Sequence, residues 1–238
     1  MNNLATTEQP DSILRWGGLA GIAGSVLMLV TFGIVAAFVG MDMTPEESLT
    51  RFTDIRAARA VENSLYLAVL ILWIVHCLAL YRALRRTSPA PALFGTALSI
   101  VGLVVLAAGA LPHIATAPLS DLYQAPGATL QDQTTLALLW HGIDAMFNAL
   151  LVTGLVILPI GLIAIGTAML GAPEYGKRMG AMTVALGVAG LAAATVLVVE
   201  DSPIAALVVF ALTAFHLALG WKTHRLASAP QSGRLVHA

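Results

Sequence analysis

Residues 134–170 read TTLALLWHGIDAMFNALLVTGLVILPIGLIAIGTAML, a run in which Asp144 is the one carboxylate and no Lys or Arg occurs. No period-two alternation runs through it. A segment this apolar, with every backbone N–H and C=O to be satisfied inside itself, is a helix in a bilayer. At about 1.5 Å per residue the helix extends roughly 55 Å, well beyond the roughly 30 Å of hydrocarbon that one span crosses. Counting about 20 residues back from Leu170 places the far membrane boundary near Leu150, so 134–149 lie at or above the interface. Pro159 sits inside the run and is expected to kink it.

Five further runs have span length: about 13–40, 64–81, 91–111, 179–199 and 204–221. The whole chain agrees with them. Of its 238 residues 58% are hydrophobic and 11% charged, against about 25% charged in soluble domains. A soluble domain of this size could not hide so much apolar surface. The expected fold is an all-α polytopic bundle with six transmembrane helices, forming one membrane domain over 1–238 with polar tails at 1–12 and 225–238. The start of the chain lacks a basic region, and the first apolar run is too long for a signal-peptide core, so that run is expected to be a retained span.

Lys and Arg give the bundle a direction. Arg15, Arg82, Arg85, Arg86, Lys177, Arg178, Lys222, Arg225 and Arg234 fall on one side, nine of the twelve basic residues, while Arg51, Arg56 and Arg59 fall on the other. Both termini are therefore expected in the cytoplasm of a cell whose inner (plasma) membrane holds the protein. The loop with the three outer arginines opens with Thr44-Pro45-Glu46-Glu47, a cap, a first-turn proline and a capping-box glutamate. Leu49, Phe52 and Ile55 then recur every three residues, which predicts an amphipathic helix lying on the membrane or running into the second span.

The net charge of −1 and the absence of a basic stripe exclude nucleic acid as a partner. Cys77 is the single cysteine, so neither a disulfide framework nor a CxxC knuckle exists. No phosphate loop, GxSxG elbow or paired carboxylates point to an enzyme. Gly17-x-x-x-Gly21 in the first span suits close helix packing, within one bundle or between copies as a homo-oligomer.

Ionisable residues in apolar runs mark where chemistry would lie. His141, Asp144 and Asn148 stand at i, i+3 and i+7 and share one helical stripe. His113 ends the third span at the same outer level, and Glu200 and Asp201 form the outer turn between the last two spans. These six residues are the candidate ligand-binding set, and their imidazoles and carboxylates also suit a divalent metal. His76 and His216 lie at equal depth near the cytoplasmic end of two helices that run the same way, an arrangement that offers bis-imidazole ligation to a haem.

Three functions follow as expectations. The first is binding or transport of a small solute, ion or lipid at a polar outward-facing site. The second is a non-catalytic subunit or assembly factor of a larger membrane complex. The third is a haem-binding electron carrier.

Leu80-Tyr81-Arg82-Ala83-Leu84-Arg85-Arg86, followed by Ser88-Pro89, stands before the third span; Leu158-Pro159-Ile160-Gly161-Leu162 precedes Gly171-Ala172-Pro173 and Arg178-Met179-Gly180. This order resembles a bacterial family of six-helix membrane proteins of unknown function, over roughly residues 13–222. Phe94-Gly95 stands where that family tends to open the third span with an arginine. The resemblance implies six helices and one domain and brings no catalytic residue with it.

Overall fold

The computed structural model describes residues 12–39, 44–199 and 204–228. Every regular element among them is a helix, in the order α1 (Ser12–Ile34, continued by a π-helical turn Val35–Val39), α2 (Pro45–Leu84), α3 (Pro89–Ala108), α4 (Ala110–Tyr123), α5 (Leu130–Leu170), α6 (Lys177–Val199) and α7 (Ile204–Ser228). Six helical segments are long and apolar enough to cross a membrane, α3 and α4 counting as one. Large apolar side chains such as Trp16, Phe94, Leu111, Met182, Leu207 and Trp221 are exposed on the outside of the bundle. A surface of that kind is stable against lipid and would aggregate in water.

Neighbouring helices pack in the order α6, α5, α3, α2, α1, α7 around the bundle. The core between them is built from fully buried Trp73, Leu80, Leu103, Leu158, Leu162 and Leu219. Helix axes approach closely where glycines face each other. A Cβ added at Gly161 of α5 would lie 2.7 Å from the Ser99 N of α3 and 2.9 Å from the Gly95 O. Gly17 and Gly21 face Ala79 and His76 of α2, so this Gly-x-x-x-Gly pair is used in packing inside the chain.

The amphipathic segment and the second span are one helix. Thr44 caps α2, its hydroxyl accepting from the Glu47 N–H while the Glu47 carboxylate accepts from the Thr44 N–H. Leu49, Phe52 and Ile55 are buried, so the three-residue period does face protein. At 40 residues α2 extends roughly 60 Å, and α5, at 41 residues, is as long. Neither fits within about 30 Å of hydrocarbon.

Helix α4, which continues beyond the third span expected at about 91–111, explains where the excess length goes. Pro112 and Pro118 lack the N–H that would bond four residues back, and the third span breaks at Gly109. Side chains of α2 then hold the break: Tyr66 Oη donates to the Leu106 O at 3.1 Å, and Asn63 Nδ2 to the Ala110 O at 3.4 Å. Farther out, Ser120 Oγ donates to the Leu49 O at 2.6 Å, Gln124 Nε2 reaches the same carbonyl at 3.0 Å, and Arg56 pairs with Asp121. The first half of α2, all of α4 and the first half of α5 thus form a cap at the end of the bundle opposite Arg85 and Arg86.

Because the Thr44 box satisfies donors that no helical carbonyl can reach, Thr44→Ala is expected to cost about 1 kcal/mol. Hydrogen exchange should show the loss as faster exchange confined to the first turn of α2.

At the other end, Tyr175, in the turn between α5 and α6, is buried and meets the Thr223 hydroxyl of α7 at 3.2 Å. Burial pushes its phenol up to about 12, so it stays neutral and packs as an apolar wedge with one hydrogen bond.

Candidate functional site

The cap holds a partly open cavity of about 70 Å³ between α2, α4 and α5. Its polar lining includes Arg59 from α2, His113 and Thr116 from α4 and Asp144 from α5. Its aromatic lining is Phe52, Trp140 and Phe147. Each element supplies its residues for a local reason. Arg59 lies one turn beyond Ile55 on the buried face of α2, His113 follows Pro112 in the first turn of α4, and Asp144 follows from Trp140 at i+4 on α5.

The charged groups in and beside the cavity have partners. Arg59 Nη1 donates to Glu62 Oε2 at 3.0 Å, with 26% and 11% of the two side chains exposed. Asp144 Oδ2 accepts from Asn148 Nδ2 at 3.2 Å. The His113 ring lies 4.5 Å from the Phe147 ring, tilted by 31°. Asn63 Oδ1, one residue from Glu62, is buried without a partner.

The structure therefore brings Asp144 and His113 to one cavity and Asn148 onto Asp144. His141 is exposed, edge-on to Trp140 at 5.7 Å, and is not part of the lining. At about 100° of rotation per residue, His141 and Asp144 stand at opposite edges of a stripe roughly 60° wide, which is enough to turn His141 outward. Glu200 and Asp201 lie outside the described residues. Among the described residues no group of three His, Cys, Asp or Glu is arranged to hold a metal. Arg59 and Glu62 are site residues that no sequence motif marked. Their i, i+3 spacing at the mouth of an apolar run was the available signal.

The equal depth of His76 and His216 brings them together, ring to ring. Nδ1 lies 2.9 Å from Nδ1 and the ring centroids are 5.1 Å apart, which leaves no room for a macrocycle between them. Haem ligation across this pair does not fit the geometry.

A larger void of about 460 Å³ opens between α5, α6 and α7. Its lining is wholly apolar, so it has no group to orient a ligand.

No protein-family model matches the chain, and neither does any curated protein or solved structure. The likeness of 80–86 and 158–180 to a six-helix family thus rests on those residues alone.

Proposed function

We propose that this chain is a multi-pass protein of the plasma membrane that binds a small polar solute in the cap cavity, on the side away from the cytoplasm, as a carrier or receptor for it. The observation that supports this best is the meeting of Arg59, His113 and Asp144, from three different helices, in one cavity with aromatic walls. Convergent polar groups in a largely apolar setting fix a ligand's orientation, and ionisable groups at membrane level are costly to keep without a use. The basic residues of the opposite end support the orientation, with the cap outside and both termini cytoplasmic.

Size narrows the ligand. At about 70 Å³ the cavity is well below the size of a drug-sized ligand's pocket and suits a small solute. Both signs of charge are present in and beside the cavity, which favours a zwitterionic or neutral solute over a free ion.

The protein purified in mild detergent should be stabilised against heat by one class of a panel of small amino acids, amines, organic acids and inorganic ions. Losing a hydrogen bond to a charged group costs about 1.5–3 kcal/mol. Asp144→Ala should therefore weaken that ligand by about 10- to 100-fold, and His113→Ala by a smaller factor. Unchanged affinity in both variants would remove the cavity from consideration.

A further inference from the structure

We propose that His76 and His216 form a proton-binding site inside the membrane-spanning bundle, distinct from the cap cavity. On α2, His76 stands 14 residues beyond Glu62, roughly 21 Å along the axis.

The site is built from three helices. Both imidazoles are at most 1% exposed. Their Nδ1 atoms are 2.9 Å apart, so one ring donates and the other accepts. On α1, a Cβ at Gly21 would lie 2.8 Å from His76 Nδ1. Only glycine lets α1 close over the pair there. One turn on, Ser25 Oγ donates to the Gly21 O at 2.9 Å and the Thr213 O at 3.0 Å. On α2, Trp73 stacks on the His216 ring at 4.3 Å with an interplanar angle of 9°. On α7, Phe215 meets the same ring edge-on.

Neither histidine makes an ion pair among the described residues. The nearest charged groups along the three helices are Arg15, Arg82 and Lys222, each six residues toward the basic end, roughly 9 Å away along the axis. Tyr81 of α2 and His224 of α7 lie toward that same end. Cys77 is buried beside His76.

Two atoms of the site are left over, the Trp73 Nε1–H and one imidazole nitrogen. His76 Nε2 is buried and has no hydrogen-bond partner. If His76 accepted at Nδ1, Nε2 would carry a buried N–H with nothing to bond, the rarer and costlier orphan. His76 Nδ1–H therefore donates to His216 Nδ1, and Nε2 is a bare lone pair. A hydronium ion gives up its proton there: one O–H bond breaks, one N–H bond forms, the water left behind accepts from the new N–H, and one positive charge rests on the pair. The charge is held by the N–H···N bond, now charge-assisted, and crosses to His216 when the bridging proton moves between the two Nδ1 atoms. On His216 it lies against the Trp73 face, where a cation is attracted by the ring. A hydrogen bond that only staples α2 to α7 would need neither the free Nε2 nor the indole face.

Trp73 reports the event, because an imidazolium stacked on an indole quenches its emission. In the full chain carrying Trp16→Phe, Trp140→Phe and Trp221→Phe, Trp73 emission should fall along a single sigmoid as the pH is lowered from about 8 to 3, with helicity by circular dichroism unchanged. His216→Gln should remove the quench. His76→Gln should move its midpoint by about one pH unit or more, since coupled groups titrate as a pair. Flat emission across that range, or an unmoved midpoint in His76→Gln, overturns the proposal. For the unmodified chain, ¹⁵N spectra of labelled histidine give a second measure. Two of the six rings should shift together over one transition, and six independent titrations would refute the pair.

Discussion

Gly161→Ala is expected to destabilise the protein by about 2 kcal/mol, and Gly161→Leu to abolish folded yield. The ordinary expectation for a helical glycine is the reverse, since Gly→Ala within a helix gains up to about 1 kcal/mol of propensity. Packing overrides propensity here. The added Cβ would lie 2.5 Å from Ser99 Oγ, 2.7 Å from the Ser99 N and 2.9 Å from the Gly95 O. A hydroxyl can rotate away, but two of these atoms are backbone, and they yield only if α3 moves off α5 as a unit. Overpacking of this kind costs about 1–3 kcal/mol for one methyl and more for a branched side chain.

Gly142 supplies the control, because it lies on the same helix and a Cβ added there would meet nothing within 4 Å. Gly142→Ala should leave stability unchanged or raise it slightly. Both variants can be compared by thermal unfolding in one detergent. Equal stabilities would mean that α3 and α5 are not in backbone contact at this level.

The contrast between these two glycines shows where sequence reading reaches its limit. Both lie inside the run at 134–170, and although depth separates Gly142, beside His141, from Gly161 in the span, nothing in the sequence says which of them faces a neighbouring helix. The spans themselves were legible, because an apolar run of 20 residues has one stable form in lipid. The start of α2 was legible too, since Thr44, Pro45 and Glu47 act only on their own helix end. Helix α4 was not. No run or period in the sequence marks 112–123 as a helix, and it is Leu49 and Thr50, more than sixty residues away, that hold the segment through Gln124. The same distinction governs the sites. Depth follows from counting along a helix, which is why His76 and His216 could be matched. Rotation about the axis follows from packing, and it decides that they touch and that His141 faces away. Arg59 joins His113 and Asp144 only through three-helix contact in the cap, and no period in the chain encodes that contact.

Arg59→Met is expected to cost about 2 kcal/mol, and the double variant Arg59→Met, Glu62→Met to recover most of it. Breaking a buried pair by removing one partner typically costs about 3–5 kcal/mol, because the remaining charge is left without compensation. Arg59 is 26% exposed at the side chain and Glu62 11%, so solvent screening reduces the figure. Replacing both residues by apolar ones of similar length removes the stranded carboxylate, and such exchanges are often neutral. Thermal unfolding of the four proteins in the cycle gives the coupling directly. A double variant no more stable than Arg59→Met would show that the guanidinium is held by something other than Glu62. Ligand binding should divide the variants differently. If Arg59 serves the cavity as well as the fold, the double variant regains stability without regaining affinity for the solute, and that separation assigns the arginine to the site rather than to the scaffold.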